Sequence, residues 1–108
     1  MKLLFVCNVG ENRSRTAAEL FSKEHETKHA GAYEGKARLT SELLDWADVI
    51  FVMEEHQREH IASEFTKQYI SKRIINLEIP DVYKYNQPEL ITILKKKVNK
   101  WLRIIINP

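Results

Sequence analysis

Leu3-Leu4-Phe5-Val6-Cys7-Asn8-Val9-Gly10-Glu11-Asn12-Arg13-Ser14-Arg15 decides how the rest of the chain is read. Four apolar residues in a row are too few for a helix and suit a strand buried on both faces. The run stops at a thiol, and a polar loop follows. Ala17, Ala18, Leu20 and Phe21 then recur at helical spacing between Arg15, Glu19 and Lys23, which predicts a helix over 14–23, entered near Arg13. Strand, polar loop and helix N-terminus together make the geometry of an anion site. Unpaired amide N–H groups and the positive end of the helix point into the loop, and a phosphate accepts several such bonds at once.

Working outward, His29-Ala30-Gly31 reads as the end of a short second strand and 33–38 as a loop. Thr40 or Ser41 caps a helix running through Trp46. Val49-Ile50-Phe51-Val52-Met53, introduced by Asp48, is the clearest buried strand; 54–65 reads as helix, and Ile74-Ile75-Asn76-Leu77 as a fourth strand. A last helix starts near Pro88, where a first-turn proline sacrifices no intrahelical bond. Leu90, Leu94, Val98, Trp101, Leu102 and Ile105 form its apolar face. Alternating strands and helices predict an α/β fold: three layers, a four-stranded parallel sheet with helices on both faces, in one domain over 1–108. Ligands bind at the carboxyl ends of such strands. The loops beginning at Cys7, Gly31, Glu54 and near Ile79 are therefore expected at one edge.

Composition agrees with an ordinary globular chain of 108 residues, 44% apolar and 30% charged. A net charge of +2 mildly favours anionic ligands and is too small to argue for nucleic acid. No stretch has the ~20 apolar residues that span a bilayer. Lys2 to Cys7 is too short for a secretory signal, so a cytoplasmic location is expected. Cys7 is the one cysteine, so no intrachain disulfide forms, and a reducing compartment keeps the thiol available.

Thiolate is the nucleophilic form of cysteine, and a helix N-terminus with a nearby arginine favours it. One device thus activates Cys7 and binds its substrate. If the loop curls back, the Arg13 guanidinium grips two phosphate oxygens, a bidentate geometry lysine lacks. Ser14 is placed to hydrogen-bond the sulfur as it leaves in a second step. Asn8, Val9, Gly10, Glu11 and Asn12, with Arg13, make up the phosphate-binding loop.

Cys7, five residues, then Arg13-Ser14 at the end of a first strand resembles the low-molecular-weight protein tyrosine phosphatases. The likeness continues through Thr16-Ala17-Ala18-Glu19, His29-Ala30-Gly31 and Ala47-Asp48-Val49-Ile50-Phe51-Val52-Met53, and ends with Asp81 and Tyr83. It implies a four-stranded parallel sheet, a phosphocysteine intermediate on Cys7, and Asp81 as general acid in the loop after the fourth strand. Val9 and Gly10 stand where the family usually has Gly and Asn, Arg15 where Pro is common, and no second loop cysteine is present. Asn8 or Asn12 is expected to replace the usual Asn brace. Tyr33, Tyr83 and Tyr85 lie in loops at the expected edge; Tyr33 and Tyr83 are the candidates to flank an aromatic substrate. Lys36 and Arg38 are candidate anion attractors.

The expected activity is hydrolysis of phosphotyrosine in a protein, or of a small aryl phosphate, with an acidic pH optimum. Maximal turnover above about pH 8 would count against Asp81 as the acid. No cofactor or metal is needed, because the reaction involves no redox change and Arg13 with the loop amides offsets phosphate charge. His56 and His60 match a zinc-protease spacing, but a third ligand is lacking, and a solvated helix face is the simpler reading. Two other readings remain: an arsenate reductase served by an external thiol, and a phosphate-binding or phospho-carrier module. The apolar tail Ile104-Ile105-Ile106 fits either a monomer, packed on the sheet, or a weak homodimer.

Overall fold

A computed structural model describes residues 1–107. Its elements are β1 (Lys2–Cys7), α1 (Arg13–Leu20), β2 (Glu26–Gly31), α2 (Ser41–Trp46), β3 (Val49–Val52), α3 (Glu55–Glu64), α4 (Thr66–Ser71), β4 (Arg73–Asn76) and α5 (Pro88–Ile106). The strands form one parallel sheet in the order β2-β1-β3-β4, with Cys7 beside Gly31 and Val6 beside Val52. The expected four-stranded, three-layer α/β fold is the one observed.

β1 is apolar without alternation because both its faces are covered. Leu3, Phe5 and Cys7 point toward α1 and α5, in a core with Ala17, Phe21, Phe51, Leu90, Leu94 and Val98. Leu4 and Val6 point to the other face, among Ala30, Leu44, Ile50, Val52 and Ile61. Since β2 lies on one side of β1 and β3 on the other, the chain reverses direction of winding at β1. A crevice opens at such a point, beyond the strand ends, and the cysteine loop occupies it.

Thr40 caps α2, its hydroxyl accepting from Leu43 N at 3.2 Å. Several details differ from the sequence reading. α1, expected through Lys23, ends at Leu20, and β3 ends at Val52 rather than Met53. The helix expected over 54–65 ends at Glu64, and a separate α4 follows. Phe65, at φ −133° and ψ 54°, makes the break with no glycine or proline to mark it. β4 begins and ends one residue earlier than expected. Trp101 is 36% exposed rather than part of the buried face of α5, which is Leu90, Leu94, Val98 and Leu102. Of the apolar tail, Ile105 packs on the core while Ile104 and Ile106 are exposed. Among the described residues no helix is long and apolar enough to cross a membrane.

Candidate active site

β1 delivers Cys7 to the mouth of the crevice, and α1 begins six residues later. The chain between them turns back over the sulfur. Cys7 Sγ accepts from Gly10 N at 3.2 Å and lies 3.0 Å from Ser14 Oγ. Gly10 adopts φ +83°, a region that L side chains avoid. A Cβ there would sit 2.7 Å from Gly31 N and 2.8 Å from the Ala30 carbonyl carbon. Only glycine lets the loop lie this close to β2. His29, on β2, holds the loop from below: its Nδ1 is 2.8 Å from Gly10 O. A carbonyl can only accept, so Nδ1 carries the proton. Ala32 N and Tyr33 N donate to the Cys7 and Asn8 carbonyls at 2.7 and 3.2 Å, tying the loop to the β2–α2 connection.

Arg13 is only 1% exposed. Its Nη1 donates to Glu54 Oε1 at 2.5 Å and to the Ile79 carbonyl at 2.7 Å. Among the described residues Nε is buried with no partner, and the nearest acidic oxygen to Nη2 is Asp81 Oδ1, at 3.8 Å. One corner of the guanidinium is thus fixed to the protein. The Nε–Nη2 edge, the one suited to a two-point grip on an oxyanion, stays uncommitted. Burial pushes the Glu54 carboxyl up, but the hydrogen bond and charge of Arg13, with His56 nearby, outweigh it and leave it below the usual range.

Asp81 stands in the loop after β4, about half exposed, as the shared-edge argument expects. Asn8 Nδ2 reaches its Oδ2 at 3.5 Å. A cavity of about 60 Å³ is lined by Cys7, Asn8, Val9, Glu11, Asn12, Arg13 and Asp81, which is room for one small group such as a phosphoryl. The Asp81 loop is pinned to α1 from the side. Asn86 N donates to Thr16 Oγ1 at 2.8 Å, the Tyr85 hydroxyl donates to Glu19, and the Arg15 guanidinium lies 4.3 Å from the Tyr85 ring centroid. The Tyr85 bond outweighs burial in holding the Glu19 carboxyl below its usual range. Arg15, where Pro is common in the resembled family, therefore has local partners in Glu19 and Tyr85.

Neither Tyr33 nor Tyr83 lines this cavity. Tyr83 packs against the core beside α5. Tyr33 stacks on His56 at 5.7 Å between ring centroids and meets His60 edge-on at 4.9 Å. Its hydroxyl lies 2.6 Å from His56 Nδ1 and donates to the His56 carbonyl at 3.1 Å. The two histidines clasp a loop tyrosine, and His56 remains 46% exposed on this face. Lys36 and Arg38 are exposed outside the cavity wall. A larger groove of about 660 Å³ runs between β4 and α5, lined by Ile74, Trp101 and Ile104 among others, and shares no residue with the cysteine loop.

Sequence reasoning misses Glu54, Gln57 and His29. The brace expected from Asn8 or Asn12 is shared by Asn8 and these three. Gln57 Oε1 accepts from Met53 N and Glu54 N at 2.7 and 3.0 Å, and its Nε2 donates to Asn8 Oδ1 at 2.9 Å. The only advance signal is the polar pair Glu54-x-x-Gln57 directly after a buried strand, a pattern typical of a helix start.

No family model matches the chain, and no curated protein matches it. Solved structures do. The Erwinia amylovora tyrosine phosphatase AmsI is 18% identical, with 95% of this chain and 91% of that one covered, at a TM-score of 0.78. A low molecular weight protein tyrosine phosphatase from Bacillus subtilis is 22% identical, covering 96% and 98%, at 0.73. The YwlE arginine phosphatase from Geobacillus stearothermophilus is 19% identical, covering 95% and 93%, at 0.72. Over nearly its whole length, this chain has the fold of the low molecular weight protein tyrosine phosphatases.

Proposed function

We propose that the protein is a cysteine-dependent phosphatase that works through a phosphocysteine intermediate. The observation that carries the reading is the sulfur of Cys7, held by Gly10 N and Ser14 Oγ beside a guanidinium edge with a buried, unpartnered Nε. A buried donor without a partner is costly unless something meets it in the working state, and a phosphate oxygen does.

The Cys7 thiolate attacks phosphorus; the S–P bond forms as the P–O bond to the leaving group breaks. Arg13 and the loop amides stabilise the equatorial oxygens. Asp81, protonated, gives its proton to the leaving oxygen. Water then attacks phosphorus and loses a proton to Asp81, while the S–P bond breaks. Ser14 Oγ–H stabilises the departing thiolate, and inorganic phosphate leaves. A structural neighbour, a YwlE arginine phosphatase in which the active-site cysteine is serine, carries that serine phosphorylated. This supports phosphoryl transfer to the residue at the head of such a loop.

The substrate is a phosphorylated protein or a small aryl phosphate. Phosphoarginine is a second substrate reading. Glu11 and Asp81 put two carboxylates on the cavity wall, and neither Tyr33 nor Tyr83 lines it. That wall suits a phosphoguanidinium as well as an aryl ester. Arsenate reduction and a carrier role both dispense with the proton donor that Asp81 supplies.

The test is hydrolysis of aryl phosphate, phosphotyrosine peptide and phosphoarginine peptide by the wild type and three variants. Cys7→Ser and Arg13→Ala should lose nearly all turnover, and Asp81→Asn should lose about 100-fold or more in kcat on aryl ester. Full activity in Cys7→Ser removes the nucleophile. Stoichiometric phosphorylation of Cys7 without release favours the carrier, and thiol-dependent arsenate reduction without phosphatase turnover favours the reductase.

A further inference from the structure

Gln57 is fully buried at the start of α3 and its amide can point only one way. Met53 N and Glu54 N both donate to its oxygen, at 2.7 and 3.0 Å, and neither can accept. The amide nitrogen therefore faces out of the helix start and donates to Asn8 Oδ1 at 2.9 Å. That bond fixes the Asn8 amide in turn. Its oxygen is committed to Gln57, so its nitrogen is the end aimed at Asp81 Oδ2, 3.5 Å away. Two main-chain amides thus dictate, through two side chains, that Asp81 Oδ2 faces a donor.

An oxygen facing an N–H donor acts as acceptor, so the acid proton of Asp81 belongs on the other oxygen. That is Oδ1, on the Arg13 side: Nη2 is 3.8 Å away, beyond hydrogen-bond distance, and in the substrate complex that edge of the guanidinium donates to the phosphate, leaving Oδ1 without a donor and facing the phosphoryl site. We infer that Gln57 and Asn8 are positioning residues that place the transferable proton of Asp81 on Oδ1, facing the leaving group. The inference rests on the phosphatase reading. Neither residue exchanges a proton with substrate; each acts through the polarity of its amide. Without the relay, the Asn8 amide turns freely and Asp81 spends part of its time with the proton away from the leaving oxygen.

The test separates positioning of an acid from a general structural role by leaving-group dependence. Gln57→Glu keeps the acceptor for Met53 N and Glu54 N and removes the donor to Asn8. Asn8→Ala, at a half-buried position, removes the donor to Asp81 and spares the buried helix start, so one variant remains if the other folds poorly. Each is assayed for kcat/KM, which reports the first chemical step, on phenyl phosphate and on 2,4-dinitrophenyl phosphate. The first leaving group needs protonation and the second does not. In both variants the loss on phenyl phosphate should exceed the loss on the dinitrophenyl ester by about 10-fold, within the range general acid catalysis supplies. Equal losses on the two esters, or no loss on either, overturn the inference while wild-type hydrolysis stands. Absence of hydrolysis by the wild type removes the phosphatase reading, and the inference falls with it.

Discussion

Removing the Glu54 carboxylate tests whether Arg13 is held in place by the protein before substrate arrives. Arg13 is 1% exposed and Glu54 30%, with 2.5 Å between Nη1 and Oε1. Breaking a fully buried pair costs about 3–5 kcal/mol. Here the carboxylate is partly in water, and Nη1 keeps the Ile79 carbonyl at 2.7 Å, so the cost falls below that range. Glu54→Ala should lose about 2 kcal/mol, and Glu54→Gln, which keeps an acceptor without the charge, about 1 kcal/mol. For a domain of this size the first loss corresponds to a Tm lower by roughly 10 °C. The same pair sets a pH dependence. The Glu54 carboxyl lies below its usual range in the folded protein, the pull of Arg13 exceeding the opposing effect of burial. A depressed carboxylate stabilises the fold above its unfolded value, near 4.3, and that contribution is lost as pH falls through the folded value. The stability advantage of wild type over Glu54→Gln should therefore be full at about pH 7 and shrink below about pH 5. Urea unfolding of both proteins across that range measures it. An advantage that stays constant to about pH 3, or a Glu54→Ala protein as stable as wild type, would refute the reasoning.

Other substitutions probe the loop itself. Gly10→Ala puts a methyl within 2.8 Å of two backbone atoms at a positive φ; a loss of about 2 kcal/mol or more is expected in chemical denaturation, with turnover falling alongside. Ser14→Ala removes the hydroxyl 3.0 Å from the sulfur. Since a hydrogen bond to a charged group contributes about 1.5–3 kcal/mol, kcat should fall about 10- to 100-fold, and rapid mixing should reveal a burst of phenol before slow turnover. Tyr33→Phe removes the hydroxyl bound to His56 but no cavity-lining group, so activity on aryl phosphate should change less than about 2-fold while thermal unfolding shifts down by a few degrees.

The parts of the site legible in the sequence are those whose meaning is local or follows from strand direction. Cys7, Arg13 and Ser14 sit between a buried strand and a helix of evident period, so the turn between them has one sensible geometry. Asp81 follows from topology, because parallel strands present their carboxyl ends together. Glu54, Gln57 and His29 escape that logic. Their partners lie 41, 49 and 19 positions away, and a polar residue after a strand looks the same whether it meets water or a buried guanidinium. Tyr33 and Tyr83 stand in the expected loops, but a loop position does not say which way a ring turns. One found two histidines and the other the core. The break at Phe65 carries no glycine or proline, and Trp101 follows the helical period of α5 yet lines the open groove beside β4, 36% exposed.

The most direct test of the account is the covalent state of Cys7 during turnover. Wild-type protein and the Cys7→Ser and Asp81→Asn variants are mixed with aryl phosphate, quenched in acid within milliseconds and analysed by peptide mass spectrometry. The account predicts one phosphoryl group on the Cys7 peptide of the wild type, chased when excess unlabelled substrate is added before the quench, with release of phenol at its rate of formation. Hydrolysis that proceeds at full rate with Cys7 never modified would contradict it.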